Sequence, residues 1–193
     1  CMPSRLEVVA GPMFSGKTEE LIRRIKRERI ARRMVLVIKP YVDHRTADFI
    51  ASRAIDDDGN PFIVERYPAT VIHNNSGLRD ALLRSYDMLA VSEAQFFWSD
   101  FPLAIDAILR ERVADDLIVV VEGLDLDYRL QPFGAMPALM AMADAVQKLD
   151  AICMQCHCKG ARFTQRLRGT SETVQVGDMG DYQVRCRASH FVF

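Results

Sequence analysis

The sequence predicts an α/β fold, a parallel sheet with flanking helices followed by a small appended module. Three observations predict it. Short apolar runs alternate with longer amphipathic ones over roughly the first 145 residues, the pattern of strands joined by crossover helices. A glycine-rich turn stands between the first such strand and the first helix. Four of the five cysteines fall in the last quarter of the chain, where the composition shifts to Cys, Gly, Arg and Thr.

Taken in order, Leu6–Ala10 reads as the first strand and Thr18 to about Arg33 as the first helix. Leu21, Ile22, Ile25 and Ile30 recur at near-helical spacing, so the intervening Arg23, Arg24, Lys26, Arg27 and Arg29 read as the solvated face of that helix. Met34–Lys39 is the second strand, ended by Pro40. Residues 41–61 are polar and read as a long loop with one short strand, of the kind that is functional or mobile in a compact domain. A helix from about Ser76 to Ser85, a strand Met88–Val91 and a helix from about Ser99 to Arg112 follow. Leu117–Val121 is an uninterrupted apolar run, as expected of a strand buried on both faces. The Met- and Ala-rich stretch Phe133–Asp144 makes a last helix with Pro137 in its first turn. These runs give a parallel sheet of about five strands. Beyond Lys148, Arg162–Leu167 and Thr173–Val176 are strand-like pieces of the appendage, and the chain divides into 1–147 and 148–193.

Composition narrows the function classes. With 193 residues, 49% of them hydrophobic, the chain can bury one substantial core. A net charge of -1 does not provide the strongly basic face that sequence-independent nucleic-acid binding requires. No apolar window is long enough to span a bilayer and no apolar leader opens the chain, so the expected setting is cytoplasmic, with neither membrane nor nucleic acid as partner.

Gly11-Pro12-Met13-Phe14-Ser15-Gly16-Lys17-Thr18 matches G-x-x-x-x-G-K-[ST] in full, directly after a predicted strand and before a predicted helix. Glycines let the backbone curl so that successive N–H groups and the helix N-terminus face phosphate oxygens. Lys17 is suited to the β- and γ-phosphates and the Thr18 hydroxyl to magnesium. The fold expected is therefore P-loop NTPase-like. Such a loop works with an acid at the end of a nearby strand, and after Met88–Val91 the segment Ser92-Glu93-Ala94-Gln95 supplies only Glu93. In a kinase that carboxylate accepts the proton of the attacking hydroxyl; the alternative is a solvated loop acid.

Cys153-x-x-Cys156 and Cys186-x-x-x-His190, about thirty residues apart, form two knuckles suited to a closed tetrahedral structural zinc site. Cys158 and His157 crowd the first knuckle and leave the choice of ligands open, with Cys153, Cys156, Cys186 and His190 the set expected.

With these residues in view, the chain resembles the cell-type (type II) thymidine kinases over almost its full length. The P-loop, Lys39-Pro40 with Asp43-x-Arg45, Glu93-Ala94-Gln95-Phe96-Phe97, Gly123-Leu124-Asp125, Pro132-Phe133-Gly134 and the paired knuckles follow in that family's order. The resemblance implies transfer of the γ-phosphoryl of ATP, with Mg2+, to the 5′-hydroxyl of thymidine. Glu93 is then the base, and Asp43, Arg45, Ser92 and Gln95 lie with the P-loop around ATP and Mg2+. Structural Zn2+ would anchor a lasso loop, roughly Thr164–Tyr182, that reads the base with the backbone of Thr173, Val174, Gln175, Val176 and Gly177. Phe96, Leu124, Tyr128, Phe133 and Tyr182 stand at positions matching the nucleoside pocket. A homotetramer and dTTP as feedback inhibitor are also implied.

Three positions depart from the family: Ser92 where Asp is usual, Ser189 in the second knuckle, with His190 one residue later, and Asp178 beside Gly177 in the lasso. Losing the usual Asp opens a second hypothesis, a catalytically weakened nucleotide sensor, or a reliance on Asp43 or Glu93 for the metal. A third, a nucleic-acid-binding zinc ribbon on an ATPase, has only Arg162, Arg166 and Arg168 to offer as phosphate contacts.

Overall fold

A computed structural model describes residues 3–43, 47–55, 61–167 and 181–191. Its centre is a six-stranded sheet of β1 (Arg5–Ala10), β2 (Val35–Pro40), β5 (Thr70–Ile72), β6 (Met88–Val91), β7 (Ile118–Gly123) and β8 (Ala145–Lys148). The strands lie in the order β5-β2-β6-β7-β1-β8 and all pairings are parallel. The sixth strand, β8, escapes a reading based on burial because all four of its residues are exposed; backbone pairing with β1 holds it. The expected boundary after residue 147 thus falls one residue before the end of a sheet strand.

Alternation along the strands divides the interior into two layers. Leu6, Val8, Leu36, Ile38, Leu89, Val91, Val119 and Val121 face α2 (Asn75–Leu82), α3 (Phe101–Glu111) and α4 (Met136–Met142), with Leu78, Phe101, Ile105, Met136 and Leu139 completing that layer. Val9, Val37, Met88, Ala90, Ile118 and Val120 face α1 (Lys17–Ile30), which buries Leu21, Ile22 and Ile25 against them. The expected helices are all present with ends shifted by a few residues, the size of disagreement that fraying and capping produce. Part of the basic run pairs with acids: Arg23 and Arg24 with Glu20, Arg24 also with Glu7, Lys26 with Glu65 and, past the end of α1, Arg33 with Glu28.

The segment 41–61 differs from its reading as a loop with one short strand. β3 (Phe49–Ile55) and β4 (Pro61–Pro68) form an antiparallel pair whose Ile50 and Tyr67 extend the α1 layer. Along β4 exposure alternates, with Phe62, Val64 and Arg66 exposed and Ile63, Glu65 and Tyr67 partly covered, as in a pair with one face packed. In the C-terminal part β9 (Phe163–Arg166) and β10 (Tyr182–Arg185) pair antiparallel with Tyr182 opposite Arg166. The expected strand Thr173–Val176 lies outside the described residues.

Ile25 is fully buried between α1 and the sheet. Ile25→Ala should cost about 2–4 kcal/mol of stability, read as a lower urea midpoint at unchanged slope; a loss below ~1 kcal/mol would mean that α1 does not seal this layer.

Candidate active site

The C-terminal ends of β1, β7 and β6 lie side by side, because β7 pairs with both neighbours. Everything chemical in the N-terminal part collects at this rim, the usual ligand side of an open α/β sheet. The loop Gly11–Lys17 runs from β1 into α1. Gly16 caps the helix in a left-handed conformation, φ 79°, which glycine adopts without penalty, whereas Phe14 holds φ 62° with a side chain. Lys17 Nζ donates to the Pro12 carbonyl at 2.7 Å and Ser15 Oγ to the same oxygen at 2.8 Å, so the ammonium lies along its own loop. Met13 N donates to Thr164 Oγ1 of β9 at 3.1 Å, and Phe14 packs on Cys153, Ala161, Val184 and Cys186. The phosphate loop and the cysteine module are therefore in direct contact.

At the end of β6, Glu93 takes a left-handed backbone, φ 54° and ψ 46°, a strain of order 1 kcal/mol that recurs at functional positions. Gln95, in the single 3-10 turn Ala94–Phe96, fixes its side chain: Nε2 donates to Glu93 Oε2 at 2.6 Å while Oε1 accepts from Leu124 N at 3.0 Å. Gln95 was expected at the ATP site; its observed contacts are with the catalytic candidate and the turn after β7. Gly134, φ 53°, abuts the same turn, since a Cβ there would lie 1.9 Å from the Gln95 carbonyl oxygen.

The acid that the sequence reading passed over is Glu122, the penultimate residue of β7. It is fully buried. Its Oε1 accepts from Ser92 Oγ at 2.6 Å, Glu93 N at 3.2 Å and Thr18 Oγ1 at 3.4 Å. Burial first, and then the charge of Glu93, push its carboxyl up to about 7; Lys17 and the bonds from Ser92 and Glu93 N oppose them. A signal was present in the sequence: one acid terminating an otherwise apolar strand.

The expected nucleoside residues fall into two groups. Phe96 and Phe133 meet edge to face at 5.7 Å. Tyr128 and Tyr182 are joined through buried Arg166, which lies 3.9 Å over the Tyr128 ring and donates to the Tyr182 hydroxyl at 2.9 Å. Arg166, expected only as a phosphate contact, is thus a clamp on two aromatics. Asp43 pairs with buried Lys39 at 3.0 Å. Arg45, Asp178 and the lasso residues Thr173, Val174, Gln175, Val176 and Gly177 lie outside the described residues.

The four sulfurs of Cys153, Cys156, Cys158 and Cys186 lie within 4.8 Å of one another, and none is in a disulfide. The expected set had His190 in place of Cys158; in the structure His190 lies outside the group, against the Phe163 ring at 5.5 Å, and Cys158 is inside it. Left-handed His157, φ 57°, reverses the chain after Cys156 and brings Cys158 back. In the second knuckle the residue that points inward is Ser189, its Oγ 3.1 Å from the sulfurs of both Cys153 and Cys186. The position three residues after Cys186 faces the cluster, and His190, one further on, is turned away. Hydrogen bonding between neighbouring sulfurs, with Cys156 foremost, pushes Cys158 up to about 12.

A phosphate-loop motif, a strand-end carboxylate and a buried acid on one rim of a parallel sheet are the parts of a P-loop phosphotransferase. The thymidine kinase family profile matches residues 4–190. The chain is 42% identical to a thymidine kinase of Deinococcus deserti, over 97% of this chain and 94% of that protein. It is 39% identical to one of Mycoplasma genitalium, over 95% and 82%, and 37% identical to one of Mesomycoplasma hyopneumoniae, over 96% and 94%. The chain belongs to the thymidine kinase family.

Gly134→Ala forces backbone apart at the Gln95 turn and should destabilise the protein by about 2 kcal/mol or more; a urea midpoint equal to that of the parent protein would show that the turn yields freely.

Proposed function

We propose that this protein transfers the γ-phosphoryl group of ATP to the 5′-hydroxyl of thymidine. The observation that carries the reading is the Glu93 carboxylate, held by Gln95 on the same sheet rim as the phosphate loop, in a chain of this family. The N–H groups of the loop and of the α1 N-terminus bind the phosphates, and Lys17 leaves the Pro12 carbonyl for them. Glu93 accepts the proton of the 5′-hydroxyl as its oxygen attacks phosphorus and the bond to the ADP oxygen breaks. Magnesium, when bound, neutralises charge developing on the phosphate oxygens; Thr18 is among the residues suited to hold it. Phe96, Leu124, Phe133 and the Tyr128–Arg166–Tyr182 clamp form the nucleoside side, and the backbone of 173–177 covers the base and keeps out water that competes for the phosphoryl group. Arg45, Asp43 and Gln95 complete the ATP side, the last two through the groups they hold. A homotetramer and inhibition by dTTP accompany the reading on family grounds, as does a cytoplasmic setting; no helix among the described residues is long and apolar enough to cross a membrane.

We also infer a structural zinc held by Cys153, Cys156, Cys158 and Cys186. Four thiols gathered within 4.8 Å suit a closed tetrahedral site, and residues 148–193 then form a clamp at both ends of the lasso. The sensor reading, which rests on the loss of an acid at Ser92, is weakened because Ser92 donates to the carboxylate of Glu122.

Thymidine phosphorylation in ATP and Mg2+ should be readily measured, and Glu93→Gln should lower kcat by about 10²–10⁴-fold with little change in KM. A Glu93→Gln enzyme that keeps more than half the parent kcat removes Glu93 from the base role. For the metal, Cys158→Ser should lose most of its zinc on dialysis against a mild chelator while His190→Ala keeps a full equivalent, measured by plasma emission; the reverse pattern restores His190 as ligand.

A further inference from the structure

We propose that Glu122 is the carboxylate that completes the magnesium site of this enzyme, supplied from β7 because position 92, directly after β6, holds a serine. The proposal deepens the kinase reading and rests on it. β7 lies between β1 and β6, with Glu122 beside Val9 in register and Val121 beside Val91. Glu122 therefore stands between the phosphate loop and Ser92, on the α1 side of the sheet. Its Oε1 reaches the Thr18 hydroxyl at 3.4 Å and Ser92 Oγ at 2.6 Å. Its Oε2 is buried and has no hydrogen-bond partner.

That orphaned oxygen is the decisive observation. If the carboxyl is protonated with its hydrogen on Oε2, a buried donor is left unmatched; if it is ionised, a buried negative oxygen is left unmatched. The Lys17 charge favours the ionised form, but no hydrogen bond reaches Oε2, and a buried polar group left so is costly in either state. A divalent cation held by the Glu122 carboxylate and the Thr18 hydroxyl beside bound ATP would satisfy it. A P-loop protein holds its cation with the loop Ser/Thr and a strand-end acid, and Glu122 is a strand-end acid in hydrogen-bond range of Thr18. The competing structural role, a buried acid that merely ties Ser92 and the Glu93 backbone together, uses only Oε1 and leaves Oε2 unexplained. Ser92 then has a defined part: its hydroxyl donates to Oε1 and orients the carboxylate, as partners behind a metal ligand do.

The test is the ratio of ATP affinity in Mg2+ to that in EDTA, measured by calorimetry without thymidine, for the parent protein, Glu122→Gln, and Glu122→Ala combined with Ser92→Asp. By linkage this ratio reports magnesium affinity in the enzyme–ATP complex relative to free ATP. Glu122→Gln keeps the shape of the side chain; it should lower the ratio at least about tenfold while leaving ATP affinity in EDTA within a few-fold. The double variant, which moves the carboxylate one strand across, should regain most of the loss. A ratio unchanged in Glu122→Gln overturns the proposal, as does a double variant no better than Glu122→Gln with both folded by circular dichroism. Thymidine turnover by the parent protein is scored separately. Turnover with a ratio indifferent to Glu122 sinks this proposal alone; a Glu122-dependent ratio without turnover sinks the kinase reading alone.

Discussion

The parallel pairing of three strands is the constraint on which the remainder depends. β7 is hydrogen-bonded to β1 on one side and β6 on the other, so the residues just past the ends of all three must share a rim about two strand spacings wide, ~10 Å. The phosphate loop, the strained Glu93 turn and Glu122 come from segments far apart in the chain, yet none can move away from the others without breaking a buried ladder. Because all strands point the same way, their C-terminal ends and the α1 N-terminus coincide, and one end of the sheet gathers the groups that receive anions.

Charge on that rim is balanced by proximity rather than by water. Lys17 lies against the Pro12 carbonyl, Lys39 is buried against Asp43, and Glu122 accepts from Ser92, Glu93 N and Thr18. Buried ions of this kind contribute little to net stability; their arrangement makes sense as preparation for a highly charged substrate and its cation. The strain at Phe14 and Glu93 belongs to the same preparation, since an extended backbone at either position would point the following groups elsewhere.

The cysteine module contributes through contact with this rim. Thr164 on β9 holds Met13 N, and Phe14 rests on the small core formed with Cys153 and Cys186. β9 and β10 hold Leu167 beside Asp181, while Arg166 ties Tyr182 to Tyr128 from the turn after β7. Order in the thiol cluster is thereby coupled mechanically to the phosphate loop and to the aromatic side of the site.

By itself the sequence determined what is local: the P-loop motif, the strand and helix periods of much of the parallel sheet, an acid at the end of β6 and the clustering of cysteines, because each is written in neighbouring residues. It also carried enough ordered motifs to indicate the family. Tertiary structure alone decided the remainder. Which acid faces Thr18 follows from β7 being the central neighbour, which no spacing along the chain encodes. Cys158, and not His190, joins the other three sulfurs because a left-handed residue reverses one knuckle and a turn in the other aims Ser189 inward. β8 was invisible because backbone hydrogen bonding, rather than apolar burial, places an exposed strand on the sheet edge. For Glu122 and β8 the deciding interaction joins residues distant in sequence, and in the thiol cluster local turns decide which side chains meet their distant partners; only the folded chain brings these groups within range.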